Sequence, residues 1–226
     1  SGLYPFAKSH LGGTCQKLGR YDEAERHLRE ALDVAPWGKE NSWRLCYSGG
    51  LATVFMNQGR YEEAERIYDS IVRTGRSLKY KGDPDIQLIY NTFGAMYRLG
   101  ELHMLRGNLP EAAIWLEEGL KEAESACGPE HFRTIAIKIA LAVLRTKQGD
   151  YKEAELLFDE SLRNLQARMD DTHPELLRTK SHLGVLYREQ DRHDEAEKLL
   201  NEVIEGQSEK LGSDHPHVLE SMHELA

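Results

Sequence analysis

Cysteine is scarce in this 226-residue chain: Cys15, Cys46 and Cys127 are odd in number and far apart, and no Asn-x-Ser/Thr acceptor accompanies them. That usage fits a reducing, cytoplasmic compartment. Long apolar runs are also missing. Nothing approaches the ~18 residues that cross a bilayer, and mean hydropathy is -0.60, so no membrane partner is expected. No basic stretch leading into an apolar one opens the chain, and Ser1-Gly2 reads as an expression scar outside the fold. Positive charge is in deficit, with 29 Lys+Arg against 38 Asp+Glu, and the net charge of -9 argues against a phosphate-backbone binder. Aromatics make up 8% of residues and do not alternate with basic ones, so no nucleic-acid partner is expected.

Catalytic signatures are missing too. Gly12-Gly13-Thr14-Cys15-Gln16-Lys17 lacks the Gly-Lys-Ser/Thr ending of a phosphate loop, and Cys46-Tyr47-Ser48-Gly49-Gly50 lacks the first glycine of a nucleophile elbow. His223-Glu224 begins a zinc-helix pattern that is not completed. His173, His182, His193, His215, His217 and His223 enrich the second half in histidine but are spread over successive segments, as structural residues or as a pH-sensitive contact. No catalytic residue, cofactor or metal is therefore expected, and the chain reads as non-enzymatic.

What is present is a repeat. Gly19-Arg20-Tyr21-Asp22-Glu23-Ala24-Glu25 returns at Gly59, Gly107 and Gly149, and more weakly from Asp191. The alanines Ala24, Ala64, Ala112, Ala154 and Ala196 step by 40, 48, 42 and 42 residues. Apolar positions flank each alanine at helical spacing. Upstream, Leu11-Gly12, Leu51-Ala52, Leu99-Gly100, Leu141-Ala142 and Leu183-Gly184 share one offset. Each unit is predicted to be helix, tight turn, helix, with the alanine opposite the small residue, where a bulky side chain would cost ~1–3 kcal/mol.

These residues resemble the tetratricopeptide repeat family. Thr172-His173-Pro174-Glu175 and Leu211-Gly212-Ser213-Asp214-His215-Pro216 are similar to the linker of its kinesin-light-chain-like subtype, of roughly 42 residues. Asp171 or Thr172, and Ser213 or Asp214, can cap the helix that follows. The resemblance implies an all-α, right-handed superhelix of five helix pairs plus a truncated sixth helix. It would be one domain over 3–226, with repeats near 4–34, 41–76, 85–126, 130–168 and 173–210 and a partial unit at 215–226. The 48-residue step places an insertion at 73–92 that carries Arg73, Arg76, Lys79 and Lys81. It reads as an extended helix or a solvated basic loop, with a phosphate or acidic-peptide contact as the alternative. The chain ends on the Leu225-Ala226 pair of a sixth unit, which reads as a fragment with an end open to self-association.

The resemblance further implies a concave groove lined by first helices. Its positions fall on Phe6, Ser9, Gly13, Gln16 and Lys17; on Cys46, Gly49, Thr53, Met56 and Asn57; and on Gly94, Tyr97, Glu101, Met104 and Leu105. Later units contribute Ala136, Ile139, Val143, Thr146 and Lys147, then Arg178, Ser181, Val185, Arg188 and Glu189. Apolar anchors at Met56, Tyr97, Met104, Leu105, Ile139, Val143 and Val185 would suit a peptide. The alternative is that some of them pack against a neighbouring repeat. The family's carboxylate-clamp positions read Ser9, Gly13, Gly50, Gly94 and Arg98, of which only Arg98 fits, and there is no asparagine ladder. His103 and Arg145 stand where the family packs an aromatic, and each needs a buried partner. Residues 1–113 carry 15 basic and 14 acidic side chains against 14 and 24 in 114–226, which would steer a basic partner to the second half. The expected function is a non-catalytic protein- or peptide-binding scaffold. The alternative is a sensor or regulatory arm of a larger nucleotide-dependent switch (a STAND-type NTPase) or protease, with another domain of its own parent as the partner.

Overall fold

The repeated Gly-x-Tyr segment is a turn that only a left-handed residue can close. Gly19, Gly59, Gly107 and Gly149 have φ of 73°, 76°, 74° and 81°, and Asp191 takes the same place at 61°. After each, a backbone N–H reaches back five residues: Arg20 to the Cys15 carbonyl, Arg60 to Phe55, Asn108 to His103, Asp150 to Arg145 and Arg192 to Tyr187, all at 2.8–2.9 Å. This satisfies carbonyls that the ending helix leaves open, and it turns the chain straight into the next helix.

The computed structural model describes residues 3–35, 42–79 and 86–212, together with Val218 and Met222. Among these, ten helices form five pairs: α1 (Leu3–Lys17) with α2 (Tyr21–Val34), α3 (Ser42–Asn57) with α4 (Tyr61–Lys79), α5 (Ile86–Leu105) with α6 (Leu109–Cys127), α7 (Phe132–Gln148) with α8 (Tyr151–Gln166), and α9 (Pro174–Glu189) with α10 (His193–Leu211). No strand occurs among the described residues. The expected sixth helix, with His215, His217 and His223, falls mostly on residues outside the described set.

Two compact units make up the chain, Ser1–Glu122 and Ala123–Ala226. The first has a core of Leu28, Leu51, Phe55, Tyr68, Met96, Leu99 and Leu102, with the invariant-offset Ala24 and Ala64 fully enclosed. In the second, Ile135, Ala154, Phe158, Leu165, Leu176 and Leu186 form the corresponding core.

Within a pair, the small residue of the first helix faces the side chain four residues beyond the alanine and, in the first pair, the alanine's own carbonyl. A Cβ on Gly12 would lie 2.7 Å from Leu28 Cγ and 3.3 Å from the Ala24 carbonyl, and one on Gly184 2.9 Å from Leu200 Cγ. The alanine lets the backbones approach, and the leucine fills the space that the glycine leaves.

Around the 48-residue step α4 runs 19 residues, as α6 and α10 do, while α5 runs 20 against 15–17 for the other first helices. The α4 turn at Gly75 lies on α5 so closely that a Cβ there would sit 1.9 Å from Thr92 Oγ1. Arg76 on this turn bonds Glu118 at 2.7 Å and Glu122 at 3.1 Å, both on α6, and Arg73 donates to the Asp69 carbonyl. Tyr80 to Asp85, with Lys81, lie outside the described residues.

Candidate functional site

Consecutive first helices touch one another in each unit: α1 with α3 and α3 with α5 in the first, α7 with α9 in the second. Within each unit they form a layer. At the amino-terminal end of the first unit this layer opens into a cleft of about 320 Å³. Phe6, Ser9, His10, Gly13, Thr14 and Lys17 line it from α1, and Trp43, Cys46 and Tyr47 from α3. Phe6 and Trp43 meet edge to face at 6.2 Å, and Phe6 lies 4.3 Å from the His10 ring. Both aromatics stay about half exposed, at 45% and 51%. Among the described residues no carboxylate lines the cleft.

Phe6, Ser9, Gly13, Lys17 and Cys46 were expected on this face; His10, Thr14, Trp43 and Tyr47 were not. The paired glycines Gly12-Gly13 in one helix were the available signal. Cys15, one step round from them, is buried, whereas Cys46 and Cys127 are half-buried, and no disulfide joins any of the three.

Further along the first unit, three of the expected groove residues, Tyr97, Arg98 and Glu101, form a polar cluster. Tyr97 donates its hydroxyl to Glu101 at 2.5 Å, and Arg98 donates to the other oxygen of the same carboxylate at 2.7 Å. The guanidinium best suited to clamp a terminal carboxylate is thus engaged by one from its own helix. Beneath it, Tyr68 shares a 2.8 Å hydrogen bond with Thr53, and burial pushes its hydroxyl up to about 12. Met104 is half-buried, while Asn57 and Leu105 are exposed, Leu105 at 62%.

Two expected anchors are core residues. Met56 is 8% exposed in the first unit's core and Ile139 5% in the second's. In the second unit Val143 and Val185 are half-buried, Val143 leaning on the core, and Lys147, Arg178 and Arg188 are exposed, with Arg178 bonded to Glu175 at 2.6 Å.

His103 and Arg145 both have carboxylates nearby. His103 Nε2 lies 3.7 Å from Glu65, and Arg145 Nε lies 2.7 Å from Glu153. The reason is visible in the repeats that keep the aromatic. Arg60 stacks 3.9 Å from the Phe55 ring while bonding Glu63 and, one repeat back, Glu25 at 2.7 Å. Arg192 does the same with Tyr187 at 4.0 Å, with Glu195, and with Glu155 at 2.9 Å. Where the turn carries Asp150, Arg145 supplies the cation from α7 to the equivalent glutamate, Glu153.

Charge is also buried between helices. Lys138, with a side chain only 5% exposed, bonds Glu160 at 2.6 Å and sits 3.2 Å from Glu124. Burial works against its charge, but these two carboxylates outweigh it and hold its pKa above the ordinary lysine value.

The linker histidines are helix caps. The Arg133 N–H donates to His131 Nδ1, and the Glu175 N–H to His173 Nδ1, each at 3.3 Å. The capping residue of α9 is therefore His173, next to Pro174, not Asp171 or Thr172, whose hydroxyl turns to Asp170. Burial, with the Arg133 and Arg168 cations nearby, pushes His131 below the ordinary histidine range. Ser213 and Asp214 lie outside the described residues. Among the described residues no group of three or more His, Cys, Asp or Glu side chains is placed to hold a metal, and no helix is long and apolar enough to cross a membrane.

The comparisons with known proteins bear on the fold. No curated protein matches the chain. Among solved structures, BtubC (BKLC) from P. vanneervenii aligns with a TM-score of 0.71 at 19% identity, over 95% of this chain and 84% of that one. A Podosopora anserina chain of nearly identical TPR-like repeats, assigned to kinesin light chain, aligns at 0.67 and 21% over 90% and 94%. NprR, solved in complex with its cognate peptide NprX, aligns at 0.64 and 19% over 99% and 60%. The fold shared with these chains is all-α and built of helix pairs. The Tetratricopeptide repeat family profile matches residues 5–77, 91–167 and 175–226, and a second profile of that description matches 50–126. With most of its length so matched, the chain belongs to the tetratricopeptide repeat family.

Proposed function

We propose that this chain is a non-catalytic protein-binding scaffold that offers its first-helix layers to peptide segments of a partner. The observation that carries the reading is the cleft between α1 and α3, where Phe6 and Trp43 stay half exposed beside Gly13 on a face that pairing does not use. Burying an apolar side chain against such rings contributes ~1.5–3 kcal/mol. Because the layer is already ordered, the ligand bears most of the ordering cost, and two or three such anchors support roughly micromolar binding. The peptide-bound state of NprR, a structural relative, agrees with this use of the fold.

The test is affinity capture with the wild-type chain beside Phe6→Asp with Leu105→Asp, on the first-helix layer, and Ile114→Asp with Leu156→Asp, on exposed second-helix positions. Partners held by the wild type should be lost by the first pair and kept by the second. Loss with the second pair alone would place recognition on the other face.

A further inference from the structure

First helices that follow another pair within a unit are buried along one row. In α3, α5 and α9 that row holds Leu51, Leu99 and Leu183, all buried, on helices that touch α2, α4 and α8 of the preceding pair. On α1 the same row is bare. Leu11, at the leucine position of the repeat, is 48% exposed, and Tyr4 and Leu18, seven residues to either side, are 50% and 65% exposed. Seven residues are close to two helical turns, so the three side chains stand in line along α1. None of them lines the α1–α3 cleft.

Leu18 departs from the repeat. At its position the other units carry Gln58, Arg106, Gln148 and Gln190. Gln58 donates to Asp22 on α2 at 3.2 Å and Arg106 to Glu65 on α4 at 2.8 Å, so the position serves to bond the second helix of the preceding pair. The turn cations do the same, Arg60 with Glu25 and Arg192 with Glu155. A leucine offers such a helix no donor. It does make the row symmetric about Leu11, apolar at its centre and at both ends. No charge interrupts the row: α1 has no acidic residue, and the neighbouring Lys8 is tied to Glu30 at 2.5 Å.

We propose that this row is a self-association face, on which α1 of a second copy lies antiparallel across a two-fold axis. Leu11 then meets Leu11 of the second copy, and Tyr4 meets Leu18 at either end. An isologous contact of this kind closes at two chains. With one helix from each copy the interface is small, which sets a dissociation constant of roughly 10–100 µM. The contact is independent of the scaffold reading above, since it uses a different face of α1.

Sedimentation velocity of the whole chain from about 2 to 400 µM should show the mass rising from 25.8 kDa towards twice that value and no further. Leu11→Asp, which sets two carboxylates against each other, should raise the dissociation constant at least about tenfold with unchanged circular dichroism. Leu18→Gln, which restores the residue of the other units, should weaken the dimer as well. Arg20→Ala, at the turn cation that a stacked second helix would engage, should leave it unchanged. With Cys46→Ser and Cys127→Ser as background, Leu11→Cys should form a disulfide-linked dimer on mild oxidation, and Leu156→Cys, exposed on α8, should not. If Leu11→Asp does not fold, Leu18→Gln and Leu11→Cys carry the test. A chain that stays monomeric throughout overturns the proposal, as does an assembly that grows past two. A dimer that survives Leu11→Asp lies on another face. One that is lost with Arg20→Ala, or that gives no Leu11→Cys cross-link, is paired differently, and each of these results also overturns the proposal.

Discussion

Gly100 and Leu116 are matched across the α5–α6 pair: a Cβ on Gly100 would stand 2.5 Å from Leu116 Cγ and 2.6 Å from its Cδ2. The same two positions read Gly12 with Leu28 and Gly184 with Leu200, but Ala52 with Tyr68 and Ala142 with Phe158, all of them buried. A branched leucine needs the room of a missing Cβ, and a flat ring does not. Gly100→Ala should therefore cost about 1–2 kcal/mol net of its better helix propensity. Combining it with Leu116→Phe should cost less than the sum of the two single changes in urea denaturation. Strict additivity would mean that the pairing is incidental.

Removing the partners of Lys138 should hurt more than removing the lysine. Glu124→Gln with Glu160→Gln leaves an ammonium buried without a counter-charge and should cost about 2–3 kcal/mol. Lys138→Met frees two half-exposed carboxylates to water and should change stability by less than about 1 kcal/mol. Chemical denaturation of both variants in the same buffer gives the comparison.

Capping by His131 Nδ1 requires the neutral ring, and its pKa is lowered in the folded state. The unfolded chain then binds the proton more readily, so this contribution is fully present above the ordinary histidine value of ~6.5 and is lost as pH falls below it. His131→Asn keeps an acceptor that does not titrate. The gap in urea midpoint between pH 7.5 and pH 5.5 should be smaller in that variant than in the wild type, and an unchanged gap would remove His131 as its source.

Asp191 holds a left-handed conformation at φ 61° where the other four turns have glycine. Asp191→Gly should stabilise the second unit by about 1 kcal/mol, seen as a higher melting temperature. A decrease would mean that its aspartate makes a contact worth more than the backbone strain.

The repeats, their turns and the all-α architecture were legible because they rest on local chemistry: a left-handed residue, a tyrosine or its substitute, and an alanine at a fixed offset. The site was legible only in part. Met56 and Ile139 have the composition of anchors, yet their burial depends on a rotation of the helix by a fraction of a turn, which residue type does not encode. Arg145 was legible as an exception but not as a replacement for the cation that Arg60 and Arg192 supply elsewhere, because its glutamate lies on the next helix. The histidine caps were hidden by the acids and hydroxyls beside them, which are the commoner capping residues.

The claim that partners meet the first-helix layer is tested most directly by placing a photo-crosslinking amino acid at Ser9, at Leu105 and at Leu156 in turn and irradiating the chain in cells that contain its partners. The account predicts adducts from Ser9 and Leu105 and none from the exposed second-helix position Leu156. Adducts from Leu156 with none from the other two would contradict it.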